Sequence, residues 1–467
     1  MLGTMSGAAY DISQLREMLG SQFDEISLDD PDFRAALDAA LDQDLPIVSV
    51  VGPGGCGKSV IYRAVARVYG SSALCLAFTG VAAFNLSAAG CPATTVHRGL
   101  RIQSQEMYDS TQVFPMTLKI LKHANVVLID EVSMIPSDLM DLIMRHIDIS
   151  NRNRRGKQVP LRLVLFGDVM QLPPVETKEK RDARAALKYP ETMFFNSRLF
   201  RAHERKTFDL TRSYRQENPA FCAMLNGFRM NNITDGMLET VNRHVMPSSL
   251  FLKQKGSFLY LAARNESVDA VNAFYQAMFE KKGAAGFAYE ASYSKAEPED
   301  FPAIRRAVRL YEGMQVICVA NASGGEYQNG TLGIIDGFSG GLPHVVTDDG
   351  RSFVVGLHDW EKYALSIGKD GGIIMRKSGS VRQIACRPAY AVTFHKAQGL
   401  TLDRAYMDFS GWVPEHVVYL GLSRLRSLDG LGLKVPVTRD MIRVSSEAMQ
   451  FFEDDRDEVR VNQPAPF

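Results

Sequence analysis

Eight residues, Gly52-Pro-Gly-Gly-Cys-Gly-Lys-Ser59, constrain this chain more than any other stretch. They match the pattern G-x-x-x-x-G-K-[ST], and the match gains weight from its flanks. Leu45 to Val51 (LPIVSVV) is a short β-branched run, and a helical pattern extends from Lys58 through Val68, so strand, glycine loop and helix come in sequence. Glycines at such a turn let successive backbone N–H groups point inward around phosphates, and the helix N-terminus adds partial positive charge. The lysine then reaches the β- and γ-phosphates and the serine hydroxyl ligates Mg²⁺. Gly52, Pro53, Gly54, Gly55, Cys56, Gly57, Lys58 and Ser59 are therefore the candidate nucleotide-binding residues. The bland alternative, a glycine turn that holds no phosphate, is disfavoured by the strand and helix on either side.

Ala73 to Ala77 (ALCLA), Val126 to Ile129 (VVLI) and Leu161 to Phe166 (LRLVLF) read as further buried strands, separated widely enough for crossover helices. The alternation predicts a parallel sheet with helices on both faces. Asp130 and Glu131 close the VVLI run and so fall at the C-terminal edge of that sheet, where ligands of such sheets bind. In an ATPase, Asp130 would hold Mg²⁺ and Glu131 would orient and deprotonate the attacking water. The alternative is a pair of acids capping the helix that begins near Pro136. Gly167-Asp168-Val-Met-Gln171-Leu-Pro-Pro174 follows the next strand and would bring the Gln171 amide near the γ-phosphate, where it can relay phosphate loss.

The second half has a different texture. Ser257 to Ala262 (SFLYLA) followed by a helical stretch over 266–281 predicts another α/β unit. Residues 310–385 hold short alternating runs broken by Asn329-Gly330, Asp336-Gly337, Gly340-Gly341 and Asp349-Gly350, the pattern of a small all-β insert. The expected organisation is an N-terminal tail (1–20), a first α/β domain (21–205), a second (206–309 and 386–440) interrupted by the insert (310–385), and an acidic C-terminal tail (441–467) that frays. With 467 residues, 46% hydrophobic and 23% charged, the chain can build more than one core, and global disorder is excluded. Lys plus Arg and Asp plus Glu each total 53, so the net charge is zero and strong non-specific binding to polyanions is not advertised. Six scattered cysteines fit a reducing compartment. No uncharged apolar stretch of membrane-spanning length and no signal peptide is read, so a membrane is not an expected partner.

The ordered set GPGGCGKS (52–59), FTGVAA (78–83), TTVHRGL (94–100), LIDEVSM (128–134), FGDVMQLPPV (166–175), LTRSYRQ (210–216), FHKAQGLTL (394–402) and YLGLSRLRS (419–427) resembles the superfamily 1 DNA helicases. The similarity is greatest to the Pif1, RecD and Dda-like group and extends from about residue 45 to 430. It implies two RecA-like domains with ATP bound between them, an SH3-like insert at 310–385 and a wedge-like insert near 99–118 carrying Tyr108 and Phe114. It also implies that Lys58, Asp130, Glu131, Gln171, Arg215 and Arg424 carry catalysis. Arg215 and Arg424 would reach the γ-phosphate from the second domain, with Arg212 as the rival of Arg215. Gly399 would join the nucleotide site, and Ser59 and Asp130 would hold Mg²⁺. Carried over by position, Phe78, Thr79, Gly80, Thr95, His97, Thr393, His395, Lys396 and Gln398 would contact single-stranded DNA. Core packing for Phe78 and purely structural roles for His97 and His395 are the competing readings.

Two departures stand out. The stretch Asp32 to Ala40 lacks the glutamine with which the group often reads adenine, and Ala397 replaces a usual serine, which implies some loss of grip on DNA. Two basic clusters (Arg152, Arg154, Arg155, Lys157; Lys178, Lys180, Arg181, Arg184) read first as solvated loops, although the first could meet duplex DNA ahead of a fork. The activity implied is that of a monomeric ATP- and Mg²⁺-dependent helicase moving 5′→3′ on single-stranded DNA and unwinding forked duplexes. Replication, recombination or repair proteins would be its partners, in a bacterial or phage-infected cytoplasm or a eukaryotic nucleus. The alternatives are a translocase that strips proteins without unwinding, a P-loop ATPase of another kind, and a DNA-binding module with a vestigial ATPase.

Overall fold

The apolar runs of the first half pair side by side into one parallel sheet. Its strands are β1 (Ile47–Val51), β2 (Ala73–Ala77), β3 (Thr94–Thr95), β4 (Val126–Asp130), β5 (Arg162–Gly167) and β6 (Arg205–Asp209), in the spatial order β3-β2-β4-β5-β1-β6. Every pairing is parallel. β1, β4 and β5 lie in the middle and are buried almost throughout, which is why they read as continuous apolar runs. β6 (RKTFD) is a half-exposed edge strand. It corrects the expected domain boundary, because the segment placed at the head of the second domain completes the first sheet. The computed structural model describes residues 30–102, 108, 111–154, 159–174, 182, 192–216, 218–251, 256–301, 304–322, 324–368 and 372–461. The expected N-terminal tail and the basic residues Arg155, Lys157, Lys178, Lys180, Arg181 and Arg184 lie outside them.

The helix Lys58–Tyr69 starts from Gly57 and lays Val60, Ile61, Ala64 and Val65 on the sheet. A second helix, Pro31–Leu41, is capped by the Asp30 carboxylate, which accepts from the N–H groups of Asp32 and Phe33. Its other end is held by the fully buried Arg162, whose guanidinium donates to the carbonyls of Ala39 (3.1 Å), Ala40 (3.2 Å) and Leu45 (2.6 Å). A cation at a helix C-terminus meets the negative end of the helix dipole.

The chain divides into two compact units, one of Met1–Arg215, Ala364–Arg376 and Val444–Phe467, the other of Gln216–Tyr363 and Lys377–Arg443. The second unit holds its own parallel sheet, in the order Ala391–Thr393, Leu259–Ala262, Ala405–Asp408, Leu431–Leu433. The helix Asn265–Lys282 follows the strand Leu259–Ala262, as the sequence predicts to within a residue. The β insert contains a five-stranded antiparallel sheet, with Gly330, Gly340, Gly341 and Gly350 at positive φ in its turns. Asp336-Gly337 is not a turn. It lies inside the strand Leu332–Ser339, where the register against Leu342–Val346 slips between Ile335 and Gly337, so the glycine serves a β-bulge. β structure also begins earlier than residue 310, since Gly286–Glu290 pairs with Ala307–Tyr311 and Ser292–Ser294 with the strand Ile373–Ile384.

The acidic C-terminal segment forms a helix, Ser446–Val461, which corrects the expectation of a frayed tail. Ala448, Phe451 and Phe452 are buried. The Phe451 ring stacks on Phe195 with centroids 4.7 Å apart, and Glu447 accepts from the Asn196 amide at 2.9 Å. Among the described residues, no helix is long and apolar enough to cross a membrane. Truncating a buried phenylalanine costs about 3–5 kcal/mol. Phe451→Ala is therefore expected to lower the denaturant midpoint of unfolding clearly, and an unchanged midpoint would show that this helix adds nothing to the core of the first unit.

Candidate functional site

The glycine loop leaves β1 and enters the helix Lys58–Tyr69. Gly52, Gly55 and Gly57 all sit at positive φ (146°, 87° and 90°), a region glycine adopts without penalty. A Cβ on Gly52 would come within 2.3 Å of the Leu210 carbonyl oxygen, and one on Gly55 within 2.5 Å of Cβ of Arg215. The helix has no side-chain cap at Gly57, so its first-turn N–H groups face the loop, as an anion site requires. Lys58 folds over the loop and donates to the carbonyls of Gly52 (2.8 Å) and Pro53 (2.7 Å). Ser59 is exposed at the mouth of this turn.

Asp130 and Glu131 leave the C-terminal end of β4, as the sequence predicts. Asp130 is half-buried, and that burial raises its carboxyl above the usual range, against the opposing pull of the Glu131 N–H and the Lys58 ammonium. The Glu131 N–H donates to Asp130 Oδ1 at 2.9 Å. Glu131 itself has left-handed backbone (φ 56°, ψ 46°), a conformation that costs a non-glycine residue about 1–2 kcal/mol and that clusters at functional sites. Gly167 ends β5 in contact with Val132 and accepts from Gly52 N–H at 3.2 Å. Gln171 is buried, and its amide donates to Asp168 Oδ2 at 3.2 Å, while Asp168 also accepts from the Met170 N–H. Sequence reasoning singled out Gln171 but missed Asp168, the buried acid that aims it.

Among the described residues there is no cluster of three or more His, Cys, Asp or Glu that could hold a metal. Ser59 and Asp130 nevertheless fit Mg²⁺, which keeps several waters and binds through one or two protein oxygens together with substrate phosphates. A carboxylate disfavoured by burial is one that a cation stabilises.

The segment 210–215 is pinned along the loop. The Leu210 N–H donates to Val51 O at 2.8 Å and the Tyr214 N–H to Gly55 O at 2.8 Å. Arg215 therefore belongs to the first unit and lies directly against Gly55, which corrects the expectation that it arrives from the second domain. Its rival Arg212 is exposed, with its guanidinium 5.4 Å from the centre of the Tyr214 ring. Tyr214 in turn donates to Asp30 at 3.2 Å, and burial together with that carboxylate pushes its hydroxyl up to about 12. The stretch that lacks a glutamine is thus a capped helix tied to the arginine segment. Arg424 belongs to the second unit and is buried, its guanidinium donating to the Leu420 carbonyl (3.1 Å) and to Ser423 Oγ (2.8 Å). Gly399 (φ 82°) turns the loop that follows the strand Ala391–Thr393.

Three of the candidate DNA residues, Thr79, Thr95 and Thr393, share one structural device. Thr79, after β2, caps the helix Gly80–Ala88 by accepting from Ala82 N–H (3.1 Å); Thr95, ending β3, accepts from Arg98 N–H (3.4 Å); Thr393 accepts from Lys396 N–H (3.3 Å). Each cap uses an oxygen lone pair and leaves the O–H to donate to a phosphate oxygen. Phe78 is half-buried, its N–H donates to Asp130 O at 3.0 Å, and its ring lies 6.0 Å from His97. His97 Nε2 is 2.6 Å from the Tyr108 hydroxyl, and the Tyr108 N–H donates to Asp138. Tyr108 is buried and Phe114 stacks on His146, while residues 103–107, 109 and 110 of the expected wedge-like insert lie outside the described residues. Desolvation holds the His395 imidazole below its ordinary value, and the exposed Lys396 follows it in the same loop. Gln398 donates its N–H to His395 O at 3.3 Å. Ala397 is fully buried, so a serine there would turn its hydroxyl inward and the expected loss of grip does not follow. Arg154 donates to the carbonyls of Val159, Leu121 and Ala124, a structural role that removes it from the basic patch.

A glycine loop, a lysine and two acids at the C-terminal edge of a parallel sheet define a P-loop nucleotide hydrolase. Residues 34–177 match the AAA domain family. The ATP-dependent DNA helicase Pif1 of Bdellovibrio bacteriovorus is 28% identical over 403 residues, covering 83% of each chain. Human ATP-dependent DNA helicase PIF1 is 26% identical over 400 residues, 81% of this chain but 57% of its own length. The crystal structure of Bacteroides sp Pif1 in complex with ADP-AlF4 superposes with a TM-score of 0.80 at 25% identity, covering 93% of this chain and 98% of that one. The chain is similar to the Pif1-like superfamily 1B helicases along most of its length, and its fold is that of two RecA-like α/β domains. It spans little more than half of the human relative.

If Arg215 is the guanidinium that stabilises the transferring phosphoryl group, Arg215→Ala is expected to lower ATP turnover by about 10³-fold or more, while Arg212→Ala stays within about threefold of the unmodified protein. Comparable losses in steady-state ATPase assays of the two variants would remove the distinction.

Proposed function

We propose that this protein is an ATP-dependent DNA helicase that moves 5′→3′ along single-stranded DNA and opens forked duplexes. The observation that carries the reading is the shared sheet edge of the first unit, where the phosphate loop, the Asp130-Glu131 pair and the loops that begin at Phe78 and Thr95 all follow C-terminal strand ends. A nucleotide site and a strand-contacting surface on one rigid edge can be coupled by small loop movements.

Lys58 exchanges its loop carbonyls for the β- and γ-phosphates of ATP. Glu131 holds the attacking water and takes its proton. Gln171, aimed by Asp168, senses the γ-phosphate, and Arg215 neutralises charge developing on it; Arg424 is assigned to the same phosphate by its motif. Ser59 and Asp130 would hold Mg²⁺, which when bound neutralises charge on the phosphate oxygens. Thr79, Thr95, Thr393 and Lys396 grip the DNA backbone, with Phe78, Gly80, His97, His395 and Gln398 completing the contacts. Each base pair opened costs about 1.4 kcal/mol of stacking, a modest load for a nucleotide cycle.

The test is ATPase activity with and without single-stranded DNA, together with separation of a labelled fork. Stimulation by DNA and fork separation are expected in the unmodified protein, and absence of stimulation would sink the helicase reading. Lys58→Ala is expected to abolish turnover. Glu131→Gln is expected to retain ATP-dependent DNA binding while turnover falls by about 10²-fold or more; undiminished turnover would take Glu131 out of the general-base role.

A further inference from the structure

The second unit presents another strand-end surface, and one residue on it has no role in the account above. The chain has two tryptophans. Trp360 is buried, whereas Trp412 is 63% exposed. Trp412 lies in the loop that leaves the strand Ala405–Asp408, and that loop is stiff. The Ser410 N–H donates to Asp408 Oδ1 at 2.9 Å, Val413 is buried, and the His416 N–H donates to Arg443 O at 2.7 Å. Asp408 is itself fixed by the Lys434 ammonium at 2.7 Å and by the Tyr260 hydroxyl at 2.5 Å.

Cations lie close to the indole and to the residue before it. The Arg443 guanidinium lies 5.8 Å from its ring centre, steadied by a 3.2 Å hydrogen bond to Asp440 O. A Cβ on Gly411, the residue before it, would lie 3.2 Å from Nη2 of the exposed Arg264. Arg264 follows the adjacent strand Leu259–Ala262, and Lys396 follows the next one, Ala391–Thr393. The three strands end level, because Thr393 and Asp408 both pair with Ala262. Neighbouring strands are about 4.8 Å apart, so Lys396, Arg264 and Trp412 issue from one short stretch of edge spanning about 10 Å.

We propose that Trp412 is a base-stacking platform for single-stranded DNA, with Arg443 behind the ring and Arg264 beside it as a phosphate contact. The proposal rests on the single-strand reading given above. A held indole with guanidinium groups close by matches the alternation of base face and phosphate along an unpaired strand, and a cation against one face of the ring holds the indole while its other face is left for a base. A protein partner binding the same loop would favour a contiguous apolar patch, and the neighbours here are charged.

The experiment uses the full chain, a dye-labelled oligothymidylate for affinity, and intrinsic tryptophan emission as the local probe. Adding the oligonucleotide is expected to quench emission in the unmodified protein but not in Trp412→Phe, whose remaining indole is the buried Trp360. Trp412→Ala is expected to weaken binding about fivefold or more, and Trp412→Phe by less. The preference for thymidylate over an abasic strand of equal length should shrink in Trp412→Ala. Thermal melting of both variants establishes that they fold. Emission unchanged at saturating DNA, or equal affinity of Trp412→Ala and the unmodified protein, would overturn the stacking role. If the labelled strand does not bind the unmodified protein at all, the single-strand reading itself fails, an outcome the dye reports independently of any tryptophan.

Discussion

Parallel strand pairing is the constraint on which the rest of the molecule depends. When strands run the same way, all of their C-terminal ends emerge along one edge, and the loops that follow them become neighbours whatever their separation in sequence. In the first unit this brings the loop after Val51, the acids after Ile129, the Gly167 turn and the segment after Asp209 onto a single edge. An antiparallel arrangement would have sent alternate loops to opposite ends. The glycines of the phosphate loop then settle how close the neighbours come, since Leu210 and Arg215 occupy the volumes that side chains at 52 and 55 would fill.

Much of this was legible in the sequence because burial on both faces leaves an unambiguous trace. VVLI and LRLVLF could hardly be anything but interior strands, and the acids and glycine that end them carried their own meaning. β6 escaped notice for the converse reason: an edge strand needs no apolar run, and RKTFD carries none. The C-terminal helix was read as a tail because its acidic residues dominate the composition, while the few apolar ones that matter, Ala448, Phe451 and Phe452, mark too short a stripe to stand out. Asp336-Gly337 has the letters of a turn and the position of a bulge, and only the pairing of its neighbours decides between them. At the site, residue types were readable but allegiances were not. Arg215 is expected from the second domain and lies instead against Gly55 in the first unit, because a one-dimensional motif order does not say which sheet a segment lies against.

The net charge of zero also takes on a structural meaning. Some cations are committed internally, with Arg154 and Arg162 each donating to main-chain carbonyls. They neutralise helix ends and loops and present little to a polyanion. The hydroxyls at the strand ends are shared in a similar way, each capping a helix or a turn through one lone pair while keeping a proton to offer. A surface built like this binds a phosphate backbone through many weak, local contacts and avoids the salt-sensitive trapping that a broadly basic face would bring.

The Lys58 ammonium, with its two carbonyl partners on Gly52 and Pro53, has a kinetic implication. Hydrogen bonds to a charged group are worth about 1.5–3 kcal/mol, so the loop contains an internal competitor for its own ligand. A phosphate arriving at the lysine must displace that competitor, and a departing phosphate is replaced by it at once. With phosphate bound at Lys58, unbinding would not have to expose a bare ammonium in a narrow turn, and the barrier to product loss would fall. Weakened capture would thus come with faster clearance in a phosphate site built this way.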